Sequence, residues 1–281
     1  MMEYKKLTEN KKIPVLGLGT WEIGGGMSRD TSRDRENVAA IKKAIELGYK
    51  HIDTAEMYGG GHSEELVGLA VKGFERESLF ITTKVLPDHL QYNNCIKAAE
   101  RSLKRLQTDY IDLYLIHIPN PKIPIKETMR AMDTLLKQGK VRFIGVSNFS
   151  VEQLKEAQEH TENKIVNNQI EYNLLTRHRG MYNVNIESEI IPFCQENEII
   201  ITAWKPLVKG KLFREKNKLL EELTEKYNKT LAQIAINWLI SKKNIITIPK
   251  SINPEHLKEN LGALGWTLRE EDIKRLNEEF R

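Results

Sequence analysis

The sequence predicts a (β/α)8 barrel, and two observations carry that prediction. Eight short apolar stretches rich in β-branched residues recur along the 281-residue chain, and amphipathic stretches of helical period separate them. The stretches begin about 25 to 45 residues apart, which suits strand–helix–strand units with right-handed crossovers. No Pro-, Gly- or Ser-rich linker interrupts the succession, so residues 1–281 are expected to form one domain.

Strands and helices are predicted to alternate along the whole chain. The predicted strands are residues 15–21, 49–55, 79–85, 110–118, 141–148, 165–172, 199–206 and 245–251. Ser63 and Ser150 precede periodic runs, as N-cap residues do. Gly48 and Gly139 lie where such runs stop, as C-terminal glycines do.

A doubly wound sheet is the alternative architecture. It requires a dinucleotide-binding fingerprint of three spaced glycines after the first strand. Gly17 and Gly19 have the first spacing, but Glu22 occupies the third position and no helix is predicted to begin there. The sequence therefore favours the barrel.

The composition is that of a soluble globular protein. Hydrophobic residues make up 40% and charged residues 29% of the chain, and a net charge of +4 is spread through helices opposite acidic residues. This distribution argues against a nucleic-acid surface, and no apolar run approaches the roughly 20 residues that cross a bilayer. Cys95 and Cys194 lack metal-ligand spacing, which predicts free thiols and no metal site. We expect a cytoplasmic protein without a signal peptide, monomeric by default.

Polar side chains mark the carboxyl ends of three consecutive predicted strands, where the active sites of (β/α)8 enzymes lie. Asp53, Lys84 and His117 fall at these ends, and Tyr58 follows Asp53 by five residues. Neighbouring strands lie about 4.8 Å apart, so the four side chains should converge at one mouth. Each residue alone has an ordinary explanation as a helix cap, a surface charge or a packed ring. Their common location favours function.

This set of residues suits acid–base chemistry on a carbonyl group. A free phenol has a pKa near 10, and a neighbouring ammonium such as Lys84 would lower it. Asp53 would keep that ammonium charged and oriented, and His117 could donate a hydrogen bond to the substrate oxygen as negative charge develops there. Tyr58 is therefore the predicted general acid.

The chain resembles the aldo-keto reductase superfamily along essentially its whole length. The matching stretches are IPVLGLGTW, HIDTAEMY, ITTKV, DLYLIH, GKVRFIGVSNF, NQIEYN, AWKPL and IPKSINPEHLKEN, in the family's order. The resemblance implies a (β/α)8 barrel whose floor is closed by an amino-terminal β-hairpin within residues 4–15. It implies hydride transfer from NADPH to an aldehyde or ketone. The catalytic set that it implies is again Asp53, Tyr58, Lys84 and His117.

The resemblance also implies how the nicotinamide end of NADPH is held. Ser147, Asn148 and Gln169 would bind the carboxamide through neutral hydrogen bonds. Trp204 would stack on the nicotinamide ring, where the family more often has tyrosine. The further residues at this end implied to contact the cofactor are Thr20, Trp21, Pro206 and Leu207.

At the adenosine end, the resemblance places Lys250 and Ser251 at the 2′-phosphate and Glu259 and Asn260 at the adenine. His256 stands where many members have arginine, and an imidazole loses its charge above its ordinary pKa of about 6.5. We therefore expect NADPH to be preferred over NADH, with a preference that weakens toward about pH 8.5. The cations that could face the pyrophosphate, or form a merely solvated basic loop, are Lys205, Lys209 and Lys211.

Trp21, Met57, Leu86 and Ile118 are expected to line the substrate pocket. The resemblance places Leu86 and Ile118 where aromatic residues often wall the site. The chain stops at Arg281, just after a predicted helix, so the long carboxyl-terminal loop of some relatives is absent from this sequence. These features predict an open, apolar and permissive pocket.

Two other functions remain open from the sequence. Lys84 could form a Schiff base in an aldolase-type lyase, although such an enzyme has no use for the GVSNF and IPKS stretches. The protein could instead be a cofactor-binding regulatory or scaffold subunit of the same fold, as potassium-channel β subunits are. The complete set of four polar residues argues against that reading.

Overall fold

The computed structural model, which describes residues 1–214 and 216–281, contains a two-stranded sheet and a parallel eight-stranded sheet. The two-stranded sheet is formed by β1 (Tyr4–Thr8) and β2 (Lys11–Pro14). The strands of the larger sheet are β3 (Leu18–Gly19), β4 (His51–Asp53), β5 (Phe80–Val85), β6 (Ile111–Ile116), β7 (Val141–Ser147), β8 (Ile165–Glu171), β9 (Ile200–Trp204) and β10 (Ile245–Thr247). Each predicted strand contains one of these eight.

The larger sheet closes into a barrel. Consecutive strands pair in chain order from β3 to β10. Leu16, just before β3, forms a parallel bridge with Thr247 of β10, and the Gly17 N–H donates to the Thr247 carbonyl at 2.9 Å. The predicted (β/α)8 barrel is confirmed, and the doubly wound alternative is wrong.

Helices separate the strands and surround the barrel. They are α1 (Asp34–Leu47), α2 (His62–Val71), α3 (Tyr92–Leu106), α4 (Ile125–Lys137), α5 (Val151–Glu159), α6 (Ile191–Glu196), α7 (Lys218–Tyr227), α8 (Leu231–Ile240), α9 (Pro254–Leu261) and α10 (Glu270–Glu279). Their apolar faces pack on the strands, as the helical period of the sequence requires. No helix of the described residues is both long and apolar enough to cross a membrane.

The predicted helix ends are correct at three of the four positions. Ser150 caps α5 in a capping box with Gln153, and Gly48 ends α1 in the left-handed conformation. Gly139, just beyond α4, also has positive φ. Ser63 as an N-cap is wrong, because α2 begins at His62 with Gly61 as its N-cap, two residues earlier than predicted. Ser63 lies inside the helix, where its hydroxyl bonds to other buried residues.

The hairpin of β1 and β2 closes the amino-terminal end of the barrel, as expected. Leu7 and Ile13 are buried there. The Lys5 ammonium donates to the carbonyl of Ile240, at the end of α8, at 2.7 Å and to that of Ile245, at the start of β10, at 2.6 Å. The polar residues at the carboxyl ends of the strands lie at the opposite end of the barrel.

Both cysteines are free and buried, as predicted. Burial raises the pKa of Cys95 and of Cys194 to about 12. Neither thiol is therefore a nucleophile at neutral pH.

Candidate active site

The carboxyl ends of β4, β5 and β6 bring four predicted residues together. Asp53 ends β4, Lys84 lies near the end of β5, and His117 directly follows β6. Tyr58 begins a short 3-10 turn between β4 and α2. Lys84 Nζ lies 2.6 Å from Asp53 Oδ1 and 3.2 Å from the Tyr58 hydroxyl, and the Tyr58 and His117 rings are 5.7 Å apart between centroids.

The Lys84 ammonium is buried and fixed by its acceptors. Besides Asp53 and Tyr58, it donates to the Thr54 carbonyl at 2.8 Å. Burial lowers the pKa of Lys84, but the Asp53 carboxylate and the Tyr58 hydroxyl outweigh it, and the net direction is upward. Lys84 is therefore a cation at neutral pH, in contact with the Tyr58 hydroxyl.

Tyr58 differs in one respect from the expectation. Burial raises its pKa more than the Lys84 charge lowers it, so the pKa lies above the ordinary phenol value in this structure. A raised pKa keeps the hydroxyl protonated at neutral pH, as a proton donor must be. The cation matters after the proton has left, because it faces the resulting phenolate.

His117 is a neutral imidazole. Burial, reinforced by the Lys84 charge, holds its pKa well below the ordinary histidine range. Its Nδ1 is buried and has no hydrogen-bond partner among the described residues. A neutral ring can donate one hydrogen bond without adding a second cation beside Lys84.

The turn that carries Tyr58 depends on glycine. Gly59, Gly60 and Gly61 all have positive φ, a conformation that side chains disfavour. A Cβ at Gly59 would lie 2.4 Å from the Gly24 carbonyl oxygen. The glycine run therefore lets the turn lie directly on the loop between β3 and α1, which carries Trp21. The Trp21 and Tyr58 rings meet edge to face at 5.0 Å.

The residues expected at the nicotinamide join the same network. Gln169 Nε2 donates to Asp53 Oδ2 at 2.7 Å, and the Ser147 hydroxyl donates to the Gln169 carbonyl at 2.9 Å. Asn148, with φ of 64°, donates to the Ser147 hydroxyl at 2.9 Å and accepts from Trp204 Nε1 at 3.3 Å. Neutral amide and hydroxyl groups with an aromatic ring are the donors and stacking surface that a nicotinamide carboxamide requires.

The residues expected at the adenosine lie on the β10–α9 segment. Lys250 and His256 are exposed, Ser251 and Asn260 are buried, and Glu259 is half-buried. Lys250 precedes α9 and His256 lies in its first turn, where the N-terminal N–H groups of the helix favour an anion. An ammonium, an imidazole, a hydroxyl and a helix N-terminus can each bind an anion such as a 2′-phosphate, so the donor set fits NADPH at both ends.

Two lysines of the predicted basic loop form ion pairs. Lys205 Nζ lies 3.0 Å from Glu171 Oε1, and Lys209 Nζ lies 2.9 Å from Glu22 Oε1. The hydrogen bond from Lys209 lowers the pKa of Glu22; partial burial opposes the shift, and the charges of Lys209 and Lys250 reinforce it. The loops after β3, β9 and β10 therefore meet around this carboxylate.

The residues expected at the substrate surround Tyr58 and its neighbours. Trp21, Met57, Leu86 and Ile118 are all half-buried at the mouth. The remaining residues expected at the cofactor are Thr20 and Pro206, which are buried, and Leu207, which is half-buried. The Thr20 hydroxyl donates to the Asp53 carbonyl at 3.0 Å and accepts from Ser63 at 2.9 Å, so it supports the end of β4.

Sequence reasoning missed two buried ionisable side chains near Tyr58, Glu56 and His62. The Glu56 carboxylate accepts from the Leu86 N–H at 3.2 Å and from Arg101 at 3.0 Å, which ties the β4 loop to the β5 loop. His62 lies between two carboxylates. The only signal in the sequence was the density of charged residues around the glycine run, and helix surfaces show such density too.

The (β/α)8 barrel and the polar residues at the carboxyl ends of its strands together define a class of protein: the oxidoreductases that reduce carbonyl groups with NADPH. The family model described as "Aldo/keto reductase family" matches residues 15–279. The chain belongs to the aldo/keto reductase family, as the resemblance implied.

Individual relatives agree. The chain is 38% identical to a glyoxal reductase of Bacillus subtilis, covering 97% of this chain and 91% of the relative. It is 35% identical to the methylglyoxal reductase YeaE of Escherichia coli, covering 95% and 91%. Among crystal structures, the thermostable aldo-keto reductase Tm1743 in complex with epalrestat has a TM-score of 0.92 and 45% identity, covering 99% of this chain and 100% of that one. An aldo/keto reductase from Klebsiella pneumoniae in complex with NADP and acetate has a TM-score of 0.86 and 34% identity, covering 97% and 93%.

Proposed function

We propose that this protein reduces small aldehydes with NADPH and that Tyr58 is the general acid that protonates the carbonyl oxygen. The observation that carries the proposal is the contact between the buried Lys84 ammonium and the Tyr58 hydroxyl at 3.2 Å. A fixed cation beneath a protonated phenol is the arrangement that stabilises the charge left when the phenol gives up its proton.

The four residues divide the work. Tyr58 donates its proton to the carbonyl oxygen, and Lys84 stabilises the phenolate. Asp53 holds Lys84 in place through the 2.6 Å ion pair and is itself held by Gln169. His117, kept neutral, donates a hydrogen bond that orients the carbonyl oxygen toward Tyr58.

Bound NADPH supplies the hydride for this reaction. Ser147, Asn148 and Gln169 would hold its carboxamide and Trp204 would stack on its nicotinamide ring. At the other end, Lys250, Ser251 and His256 would bind the 2′-phosphate. The residues proposed to complete the cofactor site are Thr20, Trp21, Pro206, Leu207, Glu259 and Asn260.

The state of Lys84 argues against a Schiff-base lyase. A Schiff base requires a neutral amine with a free lone pair. The Lys84 ammonium donates to Asp53, Thr54 and Tyr58, and its pKa is raised. These contacts favour a charge that orients and stabilises over a nucleophile.

Small aldehydes are favoured as substrates for two reasons. The expected walls Met57, Leu86 and Ile118 are aliphatic and half-buried, and Trp21 is the one large ring among the four. Relatives that align with nearly the whole chain are named for glyoxal and methylglyoxal, which are short dicarbonyl compounds. We extend that class to this chain.

A panel of carbonyl compounds tests the proposal through the loss of NADPH absorbance. Glyoxal, methylglyoxal and simple aliphatic and aromatic aldehydes should be reduced with higher kcat/KM than steroid ketones. A panel in which one steroid dominates and the simple aldehydes are inert would contradict the substrate class. Tight NADPH binding without turnover of any compound would instead favour a regulatory subunit.

We further propose that residues 1–281 act as one domain, that the protein is a monomer and that it works in the cytoplasm. The continuous order of β3 to β10 supports the first point. Two free, buried thiols suit a reducing compartment. Size-exclusion chromatography with light scattering tests the monomer.

A further inference from the structure

We propose that His62 is a positioning residue for Tyr58: as an imidazolium held between Asp34 and Glu65, it fixes the turn that carries Tyr58 against the loop that carries Trp21. The inference deepens the proposed function and rests on it. It concerns a side chain that neither the strand-end pattern nor the family resemblance singled out.

The hydrogen-bond geometry around His62 favours a ring with a hydrogen on both nitrogens. Its Nε2 lies 2.8 Å from Asp34 Oδ1, and its Nδ1 lies 2.7 Å from Glu65 Oε2. The side chain is only 3% exposed. An ionised carboxylate only accepts hydrogen bonds, so both ring nitrogens must carry a hydrogen. A neutral ring would place a lone pair against one of the two carboxylates.

The surrounding charges support the cation. Partial burial raises the pKa of Glu65, but hydrogen bonds from His62 and Arg29 outweigh it and the net direction is downward, so Glu65 is ionised. Three segments face the ring: Asp34 comes from α1, Glu65 from α2, and Asp30 and Arg29 from the loop before α1. Arg29 pairs with Glu65 at 2.8 Å.

The imidazole also packs directly on the loop between β3 and α1. A Cβ at Gly24 would lie 2.9 Å from His62 Cδ2, so only glycine allows this approach. Two residues further along the loop, the Gly26 carbonyl accepts from the Gly59 N–H at 2.7 Å. The loop, the glycine turn and the imidazole thus form one packed unit around the Tyr58 backbone.

Tyr58 needs this external support because its own turn supplies little. Three consecutive glycines with φ of 58°, 63° and 94° have almost no intrinsic conformational preference. His62 is the first residue after them that carries a side chain. Its two carboxylate partners lie on α1 and α2, so they fix the end of the glycine run relative to both helices. The Tyr58 hydroxyl is placed 3.2 Å from Lys84, a separation that a small displacement would lengthen beyond hydrogen bonding.

The test compares two substitutions of the same type. His62→Gln removes the cation, whereas His178→Gln changes an exposed histidine and serves as the control. We expect His62→Gln to lower kcat for methylglyoxal roughly tenfold, since misplacing a catalytic group slows the chemical step. The NADPH dissociation constant should not change, and His178→Gln should match the wild type. Equal kcat values for the two variants, with chemistry limiting in both, would overturn the proposal.

Asp34→Asn provides the readout that a purely structural role would not move. Its amide can donate to the Nε2 lone pair while Nδ1–H still donates to Glu65, so a neutral His62 keeps both hydrogen bonds. The wild type should therefore lose kcat more steeply than Asp34→Asn as the pH is raised. Superimposable pH profiles would overturn the proposal.

Nitrogen NMR of the wild type measures the protonation of the His62 ring directly and does not depend on whether His62→Gln folds. Both His62 ring nitrogens should carry hydrogen at about pH 7, and a nitrogen without one would overturn the proposal. Tyr58→Phe, measured in the same series, separates the two levels. If Tyr58→Phe is fully active, the proposed general-acid function of Tyr58 is wrong. If Tyr58→Phe is inactive and His62→Gln has normal activity, only the proposed role of His62 is wrong.

Discussion

The Lys84 ammonium donates to the Tyr58 hydroxyl from below, at 3.2 Å, while both side chains are shielded from solvent. Burial and the Lys84 charge have opposite effects on the proton of the Tyr58 hydroxyl. Burial keeps the proton on the phenol in the resting enzyme, and the cation stabilises the phenolate once the proton has moved. Substitutions of Tyr58, of Lys84 and of Lys84 together with Asp53 separate these two influences from each other and from the stability of the fold.

Tyr58→Phe should abolish carbonyl reduction and leave NADPH binding nearly unchanged. The hydroxyl acts only where charge develops, so its loss should appear in kcat, by about a thousandfold or more for a general acid with no substitute. Single-turnover reduction of methylglyoxal and fluorescence titration with NADPH measure the two quantities. If the variant retains a tenth or more of wild-type turnover, with chemistry limiting in both enzymes, Tyr58 is not the general acid.

Lys84→Met should reduce the same step and also destabilise the fold. Without the ammonium, nothing offsets the rise in the Tyr58 pKa that burial causes, and the Asp53 carboxylate is left buried without its cation. An uncompensated buried charge costs about 3 to 5 kcal/mol. Denaturant unfolding and kcat at about pH 7 test the two effects.

The double substitution Lys84→Met with Asp53→Asn is the matched control for Lys84→Met. It should recover most of the lost stability and none of the activity, because it removes the unpaired charge without restoring a cation near Tyr58. Full activity of either variant at neutral pH would contradict the role of Lys84.

The positions of the catalytic residues could be predicted because they follow from local pattern. Strand ends are visible where apolar runs stop, and a closed parallel sheet brings consecutive strand ends to one mouth. Asp53, Lys84 and His117 therefore needed only the correct strand limits. The direction of the Tyr58 pKa could not be predicted, because the sequence shows the neighbouring charge but not the burial that outweighs it.

Contacts that depend on three-dimensional packing were also beyond the sequence. Gln169 reaches Asp53 across 116 residues of chain, and His62 reaches Asp34 across 28. Both contacts depend on the packing of elements against one another, which no local period encodes. Ser63 had the local features of a helix cap, but the left-handed Gly61 starts α2 earlier and leaves the hydroxyl to Thr20.

Gly59→Ala should disturb catalysis far more than Gly60→Ala. Both glycines have positive φ, so each alanine carries a left-handed strain of about 1 kcal/mol. Only the Cβ at Gly59 meets backbone, 2.4 Å from the Gly24 carbonyl oxygen, whereas the Cβ at Gly60 meets nothing within 4 Å in the described part of the chain. Gly60→Ala is thus the strain control. Equal kcat and equal unfolding midpoints for the two variants would show that the turn tolerates displacement.

The preference for NADPH over NADH should weaken as the pH rises. His256 offers the phosphate an imidazole, a side-chain type whose charge depends on pH, where many family members have the always-charged guanidinium of arginine. The ratio of the two dissociation constants should therefore fall between about pH 6 and pH 8.5. His256→Arg should make the ratio larger and independent of pH, since a guanidinium stays charged and binds phosphate in a bidentate manner. A wild-type ratio that is constant with pH would show that His256 does not contact the phosphate.

Acid should destabilise the barrel partly through His51, which is buried at the start of β4 beneath the polar mouth. Burial, reinforced by the Lys84 charge, lowers the pKa of His51 to about 3. Its Nε2 pairs with the Thr82 hydroxyl at 3.0 Å, and its Nδ1 has no partner within residues 1–214 and 216–281. The His51 imidazole is therefore neutral in the folded state, because burial makes its protonation unfavourable.

The sign of the effect follows from proton counts. Between about pH 6.5 and about pH 3, the unfolded chain binds a proton at His51 and the folded chain does not, so stability falls as the pH falls. The full slope from one such group is about 1.4 kcal/mol per pH unit. His51→Asn lacks the titrating group, so its stability should fall less steeply by about that amount between pH 6 and pH 4, even if the variant is less stable at neutral pH. Urea unfolding of both proteins at four pH values gives the two slopes. His117 and the paired carboxylates remain in the variant, so the difference in slope isolates His51, and parallel slopes would mean that the ring is protonated, or exposed to solvent, in the folded protein.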